Sequence, residues 1–409
     1  MTLKSQPIKR PSRILACVGL LVLSLALRPA IISIGPILLD IRQAFDLSFT
    51  LASLLTSIPD LCMGVLALAS PLFARRFGVN GTIIASIVLL AIGILLRSQV
   101  QSVSGLLLTT FIVGVGIAVA GSLIGGWIKE FYSDHAPMFM GIYSTGLSLG
   151  ATAAAAGTDA LTTATGSWRM GAGVWVILCI TGISSWLWLC RSHKSATNYK
   201  RSKTKMSLPW SNPKAWLIAV YFGCGQFLGY AILAWLAPSM LQMHTSAIAP
   251  GYLLSAFTLI FTVANFLIGA IAGKSTDRRF LIAISSALTV IGVGGLACIS
   301  SVSPLVFISL TAVGLGSAFT LGMTLPLDQT QTSQQANAWT VFTLFIGYLI
   351  AAAGPIGFGA LRDLTGTFAV PYVLLTCVAV VMLALTPLLH PTPELPISVP
   401  RPALAPVVR

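Results

Sequence analysis

The chain has 409 residues, of which 56% are hydrophobic and only 8% are charged. Soluble domains carry about 25% charged residues, so this composition excludes a soluble enzyme or a soluble binding protein. The formal net charge of +14 would suit a nucleic-acid partner. The distribution of the basic residues instead ties this charge to membrane topology, as described below, and we predict no nucleic-acid partner.

Apolar runs of about 20 residues, the length that crosses a bilayer, recur along the whole chain. They lie at residues 14–38, 49–73, 81–97, 103–127, 138–160, 170–190, 214–240, 250–273, 281–301, 303–325, 335–360 and 368–389. This pattern predicts an all-α membrane protein with twelve transmembrane helices. The lipid bilayer is therefore its first predicted partner.

The basic residues are concentrated on one side of the predicted membrane. That side holds Lys4, Lys9, Arg10, Arg13, Arg75, Arg76, Lys129, Arg191, Lys194, Lys200, Arg201, Lys203, Lys205, Lys214, Lys274, Arg278, Arg279, Arg401 and Arg409. The opposite side holds Arg42, Arg97, Arg169 and Arg362. Because loops rich in Lys and Arg stay in the cytoplasm, both termini are predicted to be cytoplasmic.

The sequence repeats itself at a spacing of about 200 residues. The matched positions are Pro36 and Pro238, Ser53 and Ser255, Thr56 and Thr258, Arg76 and Arg278, Gly114 and Gly314, Gly116 and Gly316, and Gly166 and Gly366. Their agreement predicts two pseudo-symmetric six-helix halves in the same orientation, residues 1–190 and 214–389. A basic cytoplasmic linker at 191–213 joins them, and a proline-rich, disordered tail follows at 390–409.

One arginine lies near the middle of the first apolar run. Arg28 is about 21 Å of helical rise from Ile14 and about 15 Å from Leu38, which is close to the middle of a bilayer. Burying arginine there costs about 2.5 to 3.5 kcal/mol, so such residues usually face a partner or a water-filled cavity. Arg28 is therefore the principal candidate for a solute ligand, and its planar guanidinium favours acceptors such as carboxylates.

A carboxylate is predicted at the same depth on the second helix. Asp60 belongs to a polar stripe with Ser53, Thr56, Ser57 and Gly64. One interpretation is a permanent Arg28–Asp60 ion pair that only joins the first two helices. The alternative is that Arg28 meets the solute while Asp60 supplies the counter-charge or carries a proton.

The second half offers neutral hydrogen-bonding groups where the first half offers charge. At an offset of 202, Tyr230 is the counterpart of Arg28, and Gln226 shares its helical face. Thr324 on the tenth span adds a hydroxyl, and Tyr143 and Thr343 are further candidates to line a cavity. A cationic wall that faces a neutral polar wall suits a small anion or a dipolar solute.

Several stretches resemble the cyanate/nitroimidazole transporter family of the major facilitator superfamily. They are LRPAIISIGPILLDI around Arg28, VYFGCGQFLGYAILAWLAP around Tyr230, and TDRR after the eighth span. The resemblance implies the superfamily fold, with halves that rock about a central site. It also implies a monomeric, multi-pass protein of the bacterial inner membrane that moves a small anion or a polar heterocycle.

The resemblance extends to charged loops on the predicted cytoplasmic side. Asp277 and Arg278 lie in a loop that is similar to the GxxxD(R/K) gate loop of the superfamily. In the first-half copy, Arg75 stands where an acidic residue is expected, followed by Arg76. With Asp328 at the cytoplasmic end of the tenth span, these residues form the predicted cytoplasmic gate.

We therefore interpret the chain as a secondary active transporter that moves a small anion or polar solute by alternating access. Whether protons are a second partner stays open. The alternative is a proton-driven exporter of drugs or nitroimidazole-type heterocycles, with Asp60 as its central residue. The spans contain no histidine, metal-ligand cluster or nucleophile–base pair, and the chain has no GxxxxGK[ST] loop. We therefore predict neither an enzyme nor a cofactor nor a bound metal.

Overall fold

The computed structural model describes residues 12–132, 135–191, 207–243, 248–272, 278–298, 303–330 and 332–389. These residues form helices and their connections without a strand, which confirms the predicted all-α fold. The first six membrane helices are α1 (Arg13–Leu25, Pro29–Ile32 and Ile34–Phe45), α2 (Phe49–Phe77), α3 (Val79–Gln99), α4 (Val103–Tyr132), α5 (Ala136–Thr165) and α6 (Trp168–Gly173 and Val176–Arg191). The second six are α7 (Pro213–Met243), α8 (Pro250–Ala272), α9 (Arg279–Cys298), α10 (Pro304–Asp328), α11 (Ser333–Thr365) and α12 (Ala369–Leu385, then a 3-10 turn at Thr386–Leu388).

Within the described residues, eleven of these helices are long and apolar enough to cross a membrane. The twelfth, α5, has the length but is richer in glycine, alanine and hydroxyl side chains. It packs against α1 of its own half and α8 of the other half. Because part of its surface is covered by protein, α5 needs less apolar side-chain area than a helix surrounded by lipid.

The predicted helix boundaries differ from the structure mainly in two ways. Several helices are longer than their apolar runs, as in α11, which begins at Ser333 and ends at Thr365. The first helix, predicted as one run at 14–38, is broken between Leu25 and Pro29 and again at Ser33, and it continues to Phe45. Most of the predicted linker and the whole predicted tail, residues 192–206 and 390–409, lie outside the described residues.

The sequence repeat appears as a repeat of helix packing. In the first half α1 packs on α5 and α6, and α3 and α2 pack on α4. In the second half α7 packs on α11 and α12, and α9 and α8 pack on α10 in the same pattern. Gly166 and Gly366 end α5 and α11 with the same left-handed conformation, φ +64° and +69°, which glycine adopts without strain.

The paired glycines of α4 and α10 exchange roles between the halves. A Cβ at Gly114 would lie 2.9 Å from Pro59 of α2, and one at Gly116 would lie 2.8 Å from the Ser86 carbonyl of α3. In α10 it is Gly316 that abuts α8 and Gly314 that abuts α9. The match at an offset of 200 therefore identified the right glycines but not their counterparts. All four allow close helix packing.

Candidate functional site

The break in α1 places Arg28 at the junction between two helical pieces. Pro29 has no backbone N–H and disfavours helical geometry in the residue before it. The helix closes at Ala26 and Leu27 with short-range bonds to Leu23 and Ser24, and the Arg28 carbonyl accepts from Ile31 and Ile32 as a new piece begins. The arginine is thus set in irregular backbone at the middle of the chain's first membrane crossing.

Arg28 contacts the opposite half through the residue that the repeat pairs with it. Its Nη1 donates to the Tyr230 hydroxyl at 3.0 Å, and the arginine is only partly buried. Tyr348 packs edge-on against Tyr230 with ring centroids 6.2 Å apart. Arg28 also interacts electrostatically with Tyr348 and Tyr143. The guanidinium therefore bonds to one phenol group, from α7, and has two more, from α5 and α11, within electrostatic range.

Gln226 extends this polar surface along α7. It lies one helical turn from Tyr230, is 8% exposed, and lines a small cavity between α7 and α10 with Phe222, Leu315 and Phe319. That cavity has a volume of only about 10 Å³, roughly the space that one water molecule needs. Ligand pockets usually measure roughly 300 Å³ or more, so this cavity has no room for a solute in the arrangement described here.

The two threonine candidates differ in their hydrogen bonding. Thr324 is partly buried, and its hydroxyl donates to the Leu321 carbonyl at 2.8 Å within its own helix. Thr343 is buried, and its hydroxyl has no hydrogen-bond partner among the described residues. Of these two threonines, only Thr343 has a hydroxyl without a hydrogen-bond partner among the described residues.

Asp60 is fully buried, at 0% exposure, on α2. Neither carboxylate oxygen has a hydrogen-bond partner within the described part of the chain. Arg28, which the first interpretation pairs with it, donates to Tyr230 instead. Asp60 and Arg28 interact electrostatically, but the structure holds no hydrogen-bonded Arg28–Asp60 pair that would fix the two helices together.

The two halves meet along two seams, α2 against α11 and α8 against α5. The polar stripes on α2 and α8 lie at these seams. On α2, Gly64 packs against Tyr348 of α11, and a Cβ added at Gly64 would lie 3.2 Å from the tyrosine Cβ. On α8, Ser255 donates to the Thr152 carbonyl of α5 at 2.8 Å, and Thr258 bonds to the Thr152 hydroxyl at 3.1 Å. The predicted polar faces thus meet the other half.

At one end of the bundle, which we call the sealed end, α11 of the second half caps α2 of the first. Asp363 accepts from the backbone N–H of Phe49 and of Thr50, each at 2.8 Å, and from the Thr50 hydroxyl at 2.6 Å. A carboxylate at a helix N-terminus satisfies free N–H groups and favours the positive end of the helix dipole. Arg42 and Arg362 lie over the Phe49 ring at 4.0 and 4.8 Å.

The second seam has an equivalent contact at the sealed end. Asp159 of α5 accepts from the backbone N–H of Gly251 at 3.2 Å, where α8 begins. In the repeat, Gly251 is the counterpart of Phe49 at an offset of 202 residues, and Gly359 is the counterpart of Asp159 at an offset of 200. Gly359 packs on the Phe49 carbonyl. Each seam is therefore closed where α2 or α8 begins, with an aspartate of the other half as the acceptor.

The residues of the predicted cytoplasmic gate lie away from the sealed end. Arg278 forms an ion pair with Asp328 at 2.6 Å and also donates to the Ala272 carbonyl, so it joins elements of the second half. Arg75 and Arg76 are exposed at the end of α2. Asp277 lies outside the described residues.

Sequence reasoning missed Asp159 and Asp363 as functional candidates. Both are acidic residues within a turn or two of a helix end, and such positions are usually solvated. The repeat contains a signal that could have identified them. The counterparts of Phe49 and Asp159 are Gly251 and Gly359, and both are glycines. Small residues at such positions predict close contact between helices. Among the described residues there is no cluster of side chains that would bind a metal.

Comparison with known proteins gives this geometry a family. The family model described as the Major Facilitator Superfamily matches residues 15–355. The uncharacterized transporter YycB of Bacillus subtilis is 30% identical over 367 residues, 89% of this chain and 90% of its own. The cyanate transport protein CynX of Escherichia coli is 30% identical over 85% of this chain and 90% of its own.

Two further comparisons agree with that family. The 2-nitroimidazole transporter of Escherichia coli is 27% identical over 88% of this chain and 91% of its own. A crystal structure of a bacterial homologue of the human lysosomal transporter Spinster, in an inward-facing and occupied conformation, shares the fold with a TM-score of 0.75 and 17% identity, over 94% of this chain and 97% of the other. The chain thus belongs to the major facilitator superfamily, within its cyanate/nitroimidazole transporter family, and is a secondary transporter of small solutes.

Proposed function

We propose that the protein moves a small anion, or a polar solute with an anionic or strongly dipolar group, across the bacterial inner membrane. Arg28 would bind that group, with Tyr230 and Gln226 as hydrogen-bond partners. The observation that carries this proposal is the Arg28–Tyr230 bond. It joins equivalent positions of the two halves, at the depth where transporters built from parallel repeats bind their solutes.

Solute binding would exchange one hydrogen-bond partner of Arg28 for another. A phenol hydroxyl is a neutral acceptor, and an anion forms a stronger, charge-assisted bond with a guanidinium. A carboxylate, cyanate or nitro group could therefore displace Tyr230 from Arg28. Tyr143, Tyr348 and Thr343 then remain available to bind the rest of the solute.

Asp60 is proposed as the proton carrier. An ionised carboxylate without a partner is very costly to bury, so Asp60 carries a proton in the arrangement described here. When the halves move and water or Arg28 reaches Asp60, that proton can be released. This step would couple solute movement to the proton gradient and make the transporter proton-coupled.

Alternating access would use the two seams as the gate at one end. With the basic loops and both termini assigned to the cytoplasm, the sealed end faces the periplasm and the site opens inward. Residues 1–190 and 214–389 would rock as two bodies joined by the linker at 191–213. Opening outward would break the Asp363 and Asp159 contacts. Arg75, Arg76, Asp277, Arg278 and Asp328 would then close the cytoplasmic end.

The alternative is a proton-driven exporter of nitroimidazole-type heterocycles. The relative described as a 2-nitroimidazole transporter favours it, and so do the aromatic side chains of Tyr221, Phe222 and Phe319 near Gln226. In an exporter Asp60 remains essential and Arg28 serves to orient the heterocycle. Membrane vesicles of defined orientation with an imposed pH gradient separate the two, because uptake and export move solute in opposite directions.

The test of the main proposal is transport in proteoliposomes. Wild-type protein is expected to accumulate one or more of cyanate, 2-nitroimidazole or small carboxylates, and the Arg28→Ala variant is expected to lose that activity. Arg169→Ala is the matched control, because Arg169 donates to the Val100 carbonyl at the sealed end of the same half. Full anion transport by Arg28→Ala would end the proposal.

A further inference from the structure

A second arginine is buried in the first half, and the proposed transport cycle does not use it. Arg97 on α3 is 0% exposed. Its Nη2 donates to the carbonyl of Ala30 at 3.0 Å, while Nε and Nη1 have no hydrogen-bond partner among the described residues. A buried cation with so few partners is costly, so its presence needs an explanation beyond packing.

The partner of Arg97 lies in the broken part of α1. Ala30 belongs to the short piece Pro29–Ile32, which has a break on either side, and it is two residues from Arg28. Such a short piece has few internal hydrogen bonds to fix its direction. The contact from α3 is therefore a restraint on the same segment that carries the proposed solute ligand.

Among the described residues of the second half, α7 has no such break and no arginine is buried. Three helix contacts align α3 with α9 at an offset of 199: Gly93 with Gly292, Ser86 with Ser285 and Leu90 with Thr289. Arg97 therefore corresponds to Leu296, which is buried and apolar. The counterpart of Pro29 is Ala231, and α7 continues without interruption from Pro213 to Met243. The buried arginine and the broken helix occur together in one half.

We propose that Arg97 is a positioning residue for solute binding. By holding the Ala30 carbonyl, it fixes the broken segment of α1 so that the Arg28 guanidinium reaches the Tyr230 hydroxyl. Arg97 does not touch the solute in this account. The inference rests on the proposed role of Arg28, and the first test below does not depend on any solute.

The first test measures hydrogen–deuterium exchange in the purified full-length protein. In Arg97→Leu, amides of residues 26–34 are expected to exchange at least several-fold faster, while residues 228–236 of α7 are unchanged. The melting temperature is not expected to fall, because leucine occupies the equivalent site in α9 and removes an unsatisfied buried charge. Arg97→Lys should restore slow exchange in part, because an ammonium can also donate to Ala30.

The control for that test is Arg169→Leu, which removes another arginine bond to a backbone carbonyl of the first half. It should leave exchange at residues 26–34 unchanged. Unchanged exchange at 26–34 in Arg97→Leu would overturn the proposal. Faster exchange in both halves with a lower melting temperature would also overturn it, because Arg97 would then serve general stability.

The second test measures binding of cyanate and of 2-nitroimidazole. Arg97→Leu is expected to weaken binding about tenfold, as misplacing one charge-assisted hydrogen bond would. In an Arg28→Lys background the same change should cost less than about twofold, because the effect passes through Arg28. Equal losses in both backgrounds would mean that Arg97 binds the anion independently. Wild-type protein that binds neither probe contradicts the choice of solute, while the exchange test still decides the role of Arg97.

Discussion

The two halves of this transporter share their helix packing but differ in chemistry where they meet. In the first half, helix α1 is interrupted before Pro29 and carries Arg28, and the sequence places Asp60 at the same depth on α2. In α7 the helix is continuous and carries Tyr230, and the counterpart of Asp60 is Thr262. The comparison teaches that two copies of a repeat can keep the same helix packing while one carries an arginine and an aspartate where the other carries neutral polar side chains.

The largest expected effect comes from giving α1 the residue of its counterpart. Arg28→Tyr removes the cation and leaves two phenols facing each other. Solute affinity should fall about 100-fold, the upper range for losing a charged hydrogen-bond donor. Binding is measured by isothermal titration with the solute that wild type transports. Gln43→Ala, at an exposed position near the end of α1, is the control, and an affinity within threefold of wild type in Arg28→Tyr would refute the asymmetry.

The next effect tests Asp60 of α2 as the proposed proton carrier. Asp60→Asn keeps the shape of the side chain but cannot carry and release a proton. Uptake driven by a pH gradient should become insensitive to the size of the gradient, while exchange of solute for solute continues. Both are measured in proteoliposomes, with Thr262→Ala in the second half as the matched variant. Gradient-driven uptake that persists in Asp60→Asn would exclude this residue as the proton carrier.

A smaller effect is expected on the neutral side of the site. Tyr230→Phe removes one hydroxyl and leaves the aromatic ring, so it should weaken binding by roughly two- to tenfold, the range for one net hydrogen bond. Tyr372→Phe is the comparison, because its hydroxyl is buried against Ser239 within the second half and lies outside the cavity beside Gln226. If both variants bind the solute as tightly as wild type does, the Tyr230 hydroxyl does not contact the solute.

The smallest effect distinguishes the two seams. Asp363 accepts three hydrogen bonds and Asp159 accepts one, so Asp363→Asn should shift the population toward outward-open more than Asp159→Asn. The contacts at Asp363 are exposed, so the shift should correspond to no more than about 1 kcal/mol. Opening of each seam is reported by the alkylation rate of a single cysteine at the buried position Ser53 or Ser255, in a background from which the native cysteines have been removed. Equal shifts in both variants would show that the acceptors are equivalent.

Much of the fold could be predicted because it depends on long, simple patterns. Apolar runs locate the helices, and an offset near 200 places Tyr230 opposite Arg28, the two residues that the structure joins. The break in α1 was not predicted. Prolines do not decide it alone, because α2 remains one helix through Pro59 whereas α1 is interrupted before Pro29. The short piece after this break is held by a tertiary contact, the bond from Arg97 to Ala30, which the sequence does not reveal.

The charged residues near helix ends were the hardest to interpret from sequence. Arg97, Asp159 and Asp363 all lie close to predicted boundaries, where a side chain can reach solvent, lipid headgroups or a neighbouring helix. Hydropathy gives the depth of a residue but not the direction of its side chain. Only the structure shows that the Arg97 side chain of α3 reaches the Ala30 carbonyl of α1, and that Asp363 of α11 binds backbone groups of α2.

The most direct test of the central claim is a structure of the protein with its transported solute bound. An anionic or nitro oxygen is expected within about 3 Å of the Arg28 guanidinium, with Tyr230 and Gln226 on the opposite side of the solute. A solute bound elsewhere, with the Arg28–Tyr230 hydrogen bond still intact, would contradict the role assigned to Arg28.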